Sequence, residues 1–326
     1  MDVAEAQAKP SPTRRTSHIV GAVLVGVGVP ALVVGLLIGE FAAYALLVGV
    51  LLGGVGAKLG GTRRMLVLAP VVGLAAGLGA LTAYDMWWAA LLATAGVLTG
   101  AGIAFGWLAP LLMVPYAATF VSPASSARDA LIFGIVVGIG ALYGVVIARR
   151  FGATEVADGQ HLPLPIASVV AVVSGAVLGG AAAIGVALGW TEPYWVPEPV
   201  LILALYIVIG KRDRIRGKAI GTSLGVAAAI PVALLDPPAW VLTTVGTIVF
   251  VLAFTQAEKY WLMYGMYTFS LVLLLAAPGQ VGAEATERGF QILVGVGLLV
   301  VGLIVMHALG ARLSKRHPQP ELALEA

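Results

Sequence analysis

Two arginines carry the first suggestion of chemistry in this chain. Arg128 and Arg288 each stand at the start of a long apolar run, and apolar segments separate both from every other basic residue. An arginine is costly in hydrocarbon and persists there when it faces a cavity or a partner. Its planar guanidinium takes a carboxylate through two parallel hydrogen bonds. A helix N-terminus adds partial positive charge at the same spot. The pair therefore points to binding of an anion, a carboxylate above all, near one face of a membrane. A reading without ligand stands beside it: local pairing of Arg128 with Asp129 and of Arg288 with Glu284 or Glu287, or snorkelling to headgroups.

Other groups are weaker candidates. Lys218, with Arg214 and Arg216, forms a basic cluster that would gather an anionic substrate, or would simply set orientation and bind anionic lipid. Asp85 and Asp236 stand in matching short hairpins. A carboxylate at the membrane edge can relay protons, yet Asp236 precedes Pro237-Pro238, where a turn or helix cap is ordinary. Tyr194 and Trp195 would stack on an aromatic substrate, or belong with Trp87, Trp88, Trp190 and Trp240 to an interfacial belt. Cysteine is absent and the four histidines are scattered, so no metal-ligand cluster emerges. No phosphate-binding Walker sequence occurs either. The sequence implies no cofactor, and no catalytic constellation is visible.

The elements that must position these residues follow from composition. Of 326 residues, 60% are hydrophobic and 11% charged, with 42 glycines and a mean hydropathy of +1.00. Soluble domains carry roughly 25% charged residues. Thirty-five charges cannot cover a soluble protein of this size, which excludes a cytosolic enzyme, a nucleic-acid binder and a disordered chain. The remaining class is an all-α integral membrane protein.

Apolar runs near 19–39, 41–57, 65–83, 87–105, 107–122, 129–148, 166–189, 199–210, 219–235, 239–256, 260–277 and 289–310 predict twelve transmembrane helices. The eighth is short and is expected to begin near Tyr194. With both termini on one side, that side holds 17 of the 19 Lys and Arg residues, and the other holds only Arg128 and Arg288. Positive charge marks the cytoplasmic side, so both termini are expected there, in a multi-pass protein of the plasma membrane.

The two halves also resemble each other. Arg64 and Gly73 match Arg216 and Gly225 at an offset of 152, Trp107-Leu108 match Trp261-Leu262 at 154, and Arg128 matches Arg288 at 160. Six spans per half predict two parallel repeats related by an axis along the membrane normal. The expected organisation is a tail (1–18), a first six-helix repeat (19–148), a linker (149–165), a second repeat (166–310) and a tail (311–326). Small residues four apart, Ala69-Gly73-Gly77 and Gly221-Gly225-Ala229, mark close helix contacts.

The stretch YWVPEPVLILALYIVIGKRDRIRGKAIGTSLG, followed by GAEATERGFQILVG, resembles the membrane region of the fusaric acid resistance family, including the aromatic acid exporters. More distantly it is similar to the plant aluminium-activated malate transporters. The likeness covers about 166–310, and the first half follows it only in outline. Lys218 stands where the family usually has Arg, and the sizeable cytoplasmic domains of classical members are missing. The resemblance implies an efflux carrier or channel for organic, including aromatic, carboxylates, with a small anion and the lipid bilayer as partners. It also implies a two-fold arrangement, within one chain or as a homodimer. Two alternatives stand against it: a non-transporting lipid-binding or scaffold subunit, and, less favoured for want of clustered acid and base groups, an intramembrane enzyme.

Overall fold

The structure, a computed structural model, describes residues 24–152, 161–208, 213–235, 237–256, 259–275 and 281–316. Among these residues the ordered elements are all helical. In chain order they are α1 (Val29–Ile38), α2 (Glu40–Gly60), α3 (Thr62–Thr82), α4 (Met86–Ala101), the broken α5 (Leu108–Leu111 and Met113–Thr119), α6 (Ala127–Arg150), α7 (Leu164–Ala187), α8 (Pro197–Val208), α9 (Asp213–Leu235), α10 (Ala239–Thr255), α11 (Tyr260–Leu275) and α12 (Val281–Arg316).

Six of the described helices are long and apolar enough to cross a bilayer: Glu40–Gly60, Thr62–Thr82, Met86–Phe105, Ala127–Arg150, Leu164–Ala187 and Val281–Gly310. Shorter apolar helices fill the intervals. Their outward faces are as apolar as their cores: Leu36, Leu74, Leu234 and Ile304 are all exposed. A helix that is hydrophobic all round belongs in lipid, so the chain is a multi-pass membrane protein.

Helix ends follow local chemistry. Gly39 (φ 120°) and Gly61 (φ 92°) bracket α2 in conformations that a Cβ would strain. Asp85 caps α4 by accepting the Trp87 N–H at 2.6 Å. Ser126 caps α6 by accepting the Asp129 N–H, while its own hydroxyl donates to the Asp129 carboxylate at 2.8 Å.

Packing is set by small residues. A Cβ on Gly53 would lie 2.0 Å from the Ala141 carbonyl oxygen, and one on Gly73 would lie 2.6 Å from that of Gly134, so α2 and α3 both press backbone to backbone on α6. The matching stripe on α9 has a different neighbour: Gly221 and Gly225 meet Trp261, Gly265 and Thr268 of α11. In the same way Gly96 and Gly100 of α4 seat α7. The small-residue stripes were legible in the sequence; which helix each one meets was not.

Two main apolar clusters result among the described residues, beside a small one of Ala31, Leu46 and Val50. The larger joins α2 to α8 with Leu299 of α12; the smaller gathers Ala229, Leu242, Val272, Leu273, Val281 and Ala285 from α9 to α12. Helix α12 passes between them, in the smaller cluster at Val281 and Ala285 and in the larger at Leu299. The stretch of α12 between those anchors carries Arg288 and Gln291, both 1% exposed.

Candidate anion site

Between α7 and α8 the chain does not run as one helix. A single 3-10 turn, Pro193–Trp195, is followed by α8 from Pro197. Proline fixes φ and lacks a donor, which suits both starts. The described part of helix α8 has 12 residues, about 18 Å of rise. A discontinuous helix inside a membrane has polar backbone ends that must face protein or a cavity. The two segments carry Glu192, Tyr194, Trp195 and Glu198 into the seam between the apolar clusters.

Arg288 meets this turn. Its Nη2 donates to Glu192 Oε2 at 2.8 Å, and its guanidinium carbon lies 4.5 Å from the centre of the Trp195 ring. The arginine side chain is 2% exposed and that of Glu192 is 26% exposed, so the carboxylate is the open end of the pair. The same Oε2 accepts from Trp195 Nε1 at 2.8 Å and from the Tyr194 hydroxyl at 3.2 Å. Glu287 accepts the Thr191 N–H at 3.0 Å and the Gln291 amide at 2.9 Å, and the Glu284 side chain lies outside the described residues.

Lys218 forms a second pair. Its Nζ donates to both carboxylate oxygens of Glu198 at 3.0 Å, with Lys218 4% and Glu198 3% exposed. The Tyr264 ring lies 5.0 Å from the ammonium, a favourable cation–ring contact. Glu198 is in the first turn of α8, Lys218 is five residues after Asp213 of α9, and both are buried. Lys218 is therefore a buried ion-pair member, not a surface charge of the basic loop. The side chains of Arg214 and Arg216 lie outside the described residues.

An aromatic wall completes the site. Tyr194 stacks on Tyr84 at 6.4 Å, lies 5.2 Å from the Trp195 ring and 6.5 Å from Phe120. Tyr84 has φ of 67°, a left-handed backbone that is unusual for a non-glycine residue and marks a constrained turn. Its ring is fixed between Tyr194 and Trp88. Burial, with the Glu192 charge second, pushes the Tyr84 hydroxyl above its ordinary pKa, so it stays a neutral donor. The interfacial belt is thus divided: Trp87 and Trp240 are exposed, but Trp195 is buried, and Trp88 is fully buried with its Nε1 donating to the Ala118 carbonyl at 2.8 Å.

The remaining candidates lie apart. Arg128 is exposed at the start of α6 instead of facing the interior. Asp85 is an exposed helix cap. Asp236 lies outside the described residues. Glu192, Glu198 and Gln291 were not singled out from the sequence. The available signal was the pair of Glu-Pro steps, Glu192-Pro193 and Glu198-Pro199, that enclose Tyr194-Trp195 in an otherwise apolar stretch.

A cavity of about 560 Å³ adjoins this seam. It is lined largely by apolar side chains of α4, α5, α7, α8 and α12, including Val200, Leu201, Ala204, Leu299 and Leu303, with Thr99, Ser174 and His307 as its polar members. Among the described residues no cluster of His, Asp and Glu has metal-binding density.

No curated protein matches the chain, and no solved structure does. The malate-transporter likeness has no match behind it. The segment that builds the seam, residues 180–302, does match a family model, that of the fusaric acid resistance protein-like proteins.

Proposed function

We propose that the chain is a twelve-span carrier that exports organic carboxylate anions, aromatic ones included, across the plasma membrane with both termini cytoplasmic. The observation that carries this reading is Arg288. It is buried in a membrane helix, stacked on Trp195, and neutralised by a carboxylate that is itself partly open. A substrate carboxylate can take the place of Glu192 on the guanidinium with no net change in buried charge. An aromatic substrate ring would find Tyr194, Tyr84 and Trp195 beside it. The cavity along α8 and α12 offers an apolar approach to the same seam.

Packing order supports two parallel repeats. Helix α2 packs on α6 as α8 does on α12, α3 on α6 as α9 on α12, α3 on α5 as α9 on α11, and α4 on α5 as α10 on α11. The halves have diverged in chemistry. At the offset of 152, Glu192 corresponds to Glu40, but Tyr194-Trp195 correspond to Ala42-Ala43, Glu198 to Leu46 and Lys218 to Leu66. Glu40 and Arg128 are exposed. The binding chemistry is thereby assigned to the second half, and Arg128 is left a peripheral role.

The test is flux of radiolabelled benzoate from proteoliposomes holding the full chain. Arg288→Ala should reduce flux at least tenfold, and Arg288→Lys should restore only part of it, because Lys lacks the fork. Wild-type flux in correctly folded Arg288→Ala would reject Arg288 as a substrate ligand. Absence of flux for every carboxylate tried would instead favour a non-transporting membrane subunit.

A further inference from the structure

We infer that Gln291 sets the substrate preference of the carboxylate site: its amide oxygen accepts a hydrogen bond from a hydroxyl or N–H group carried by the substrate. This rests on the proposed binding of a carboxylate at Arg288. Gln291 is 1% exposed, and among the described residues its Oε1 has no hydrogen-bond partner. The orientation of the amide is determined by its neighbour. Its Nε2 lies 2.9 Å from Glu287 Oε1, and an ionised carboxylate only accepts. The NH2 end must face Glu287, which leaves the oxygen as the vacant acceptor.

The residue lies on the face that builds the site. On α12, Arg288 meets Glu192 and Trp195, while Gly295 approaches so closely that a Cβ there would lie 2.2 Å from the Val196 carbonyl oxygen. Gln291 lies between these two contacts, three residues after one and four before the other, on the same stripe of the helix. It therefore faces the segment from Glu192 to Pro199. Glu287, which holds the amide, also holds the Thr191 N–H, so Gln291 is tied to the turn that carries Glu192. A buried acceptor without a donor is unfavourable in a membrane interior. A ligand that brings a carboxylate to Arg288 and a donor to Gln291 satisfies both groups at once. The substrate class becomes hydroxy- or amino-carboxylates over unsubstituted ones, with a flat ring accommodated by the adjacent aromatic wall.

The experiment measures, in proteoliposomes holding the full chain, the flux of benzoate and of its ortho, meta and para hydroxy derivatives. The readout is the ratio of each derivative to benzoate, not the absolute flux. The wild type should favour at least one derivative by roughly three- to tenfold, the range of one neutral hydrogen bond. Gln291→Met, similar in shape but without the acceptor, should bring that ratio to about one. A wild type with no preference overturns the proposal without any variant. A preference that persists in Gln291→Met also overturns it, and shows that the amide oxygen serves a bound water or the local packing. If Gln291→Met does not fold, Gln291→Leu, which also lacks the acceptor, is read in the same way, and an unchanged ratio again refutes the assignment. Failure of benzoate and all derivatives to move defeats the transport reading as well, an outcome separate from loss of preference among moving substrates.

Discussion

Removing Lys218 alone should destabilise the protein far more than removing Lys218 and Glu198 together. The two carboxylate oxygens lie 3.0 Å from Nζ, and both residues are buried. At an effective dielectric of about 20, attraction at that distance is about 5 kcal/mol. Desolvating each ion costs several kcal/mol, so the pair as a whole is close to neutral. Deleting one member removes the attraction but leaves the other charge buried, which costs about 3–5 kcal/mol. With about 2–4 °C per kcal/mol for a chain of this order of size, Lys218→Met should lower the midpoint of thermal unfolding in detergent by roughly 6–20 °C. Glu198→Gln alone should act in the same direction. The double variant Glu198→Gln/Lys218→Met should recover at least half of the Lys218→Met loss. The assay is the unfolding midpoint of the four proteins, read by intrinsic fluorescence or by loss of monodisperse protein. Additive effects of the two single substitutions would refute the reasoning, since they would mean that the two charges do not depend on each other.

Four further outcomes are expected. Gly53→Ala, whose Cβ would meet the Ala141 backbone at 2.0 Å, should cost about 1–3 kcal/mol of stability, while the adjacent Gly54→Ala, with 3.7 Å of room, should be tolerated; equal midpoints would remove α2–α6 contact as the cause. Trp88→Phe should cost about 1–3 kcal/mol because it strands the buried Ala118 carbonyl, and an unchanged midpoint would show that the carbonyl finds another donor. Asp85→Ala should cost about 1 kcal/mol by removing a cap, and Asp85→Asn should not, since Asn caps as well; equal losses would point to a role for the charge itself. Reporter fusions after Arg150 and after Arg316 should both give a cytoplasmic signal, and a split result would break the even span count.

Class was legible from composition, because a chain with 11% charge and 60% apolar residues has no soluble solution. The helices were legible because a membrane helix satisfies its own backbone, so each apolar run declares itself without reference to its neighbours. Close contacts were visible as glycine stripes for a similar reason: a missing side chain is a local property. Pairing was not local. Equivalent stripes on α3 and α9 dock on α6 and α11 respectively, and nothing in the stripes themselves distinguishes one small-residue neighbour from another. The ion pairs were hidden for the same reason. Arg288 could be marked as costly in the membrane, but the counter-charge described for it is Glu192, 96 residues earlier. Lys218 looked like part of a basic loop until folding placed Glu198 against it. Sequence determined which charges would need partners, because desolvation belongs to each residue by itself. Only the tertiary structure decided which partners they have, because a Coulomb contact depends on distance in space and not along the chain.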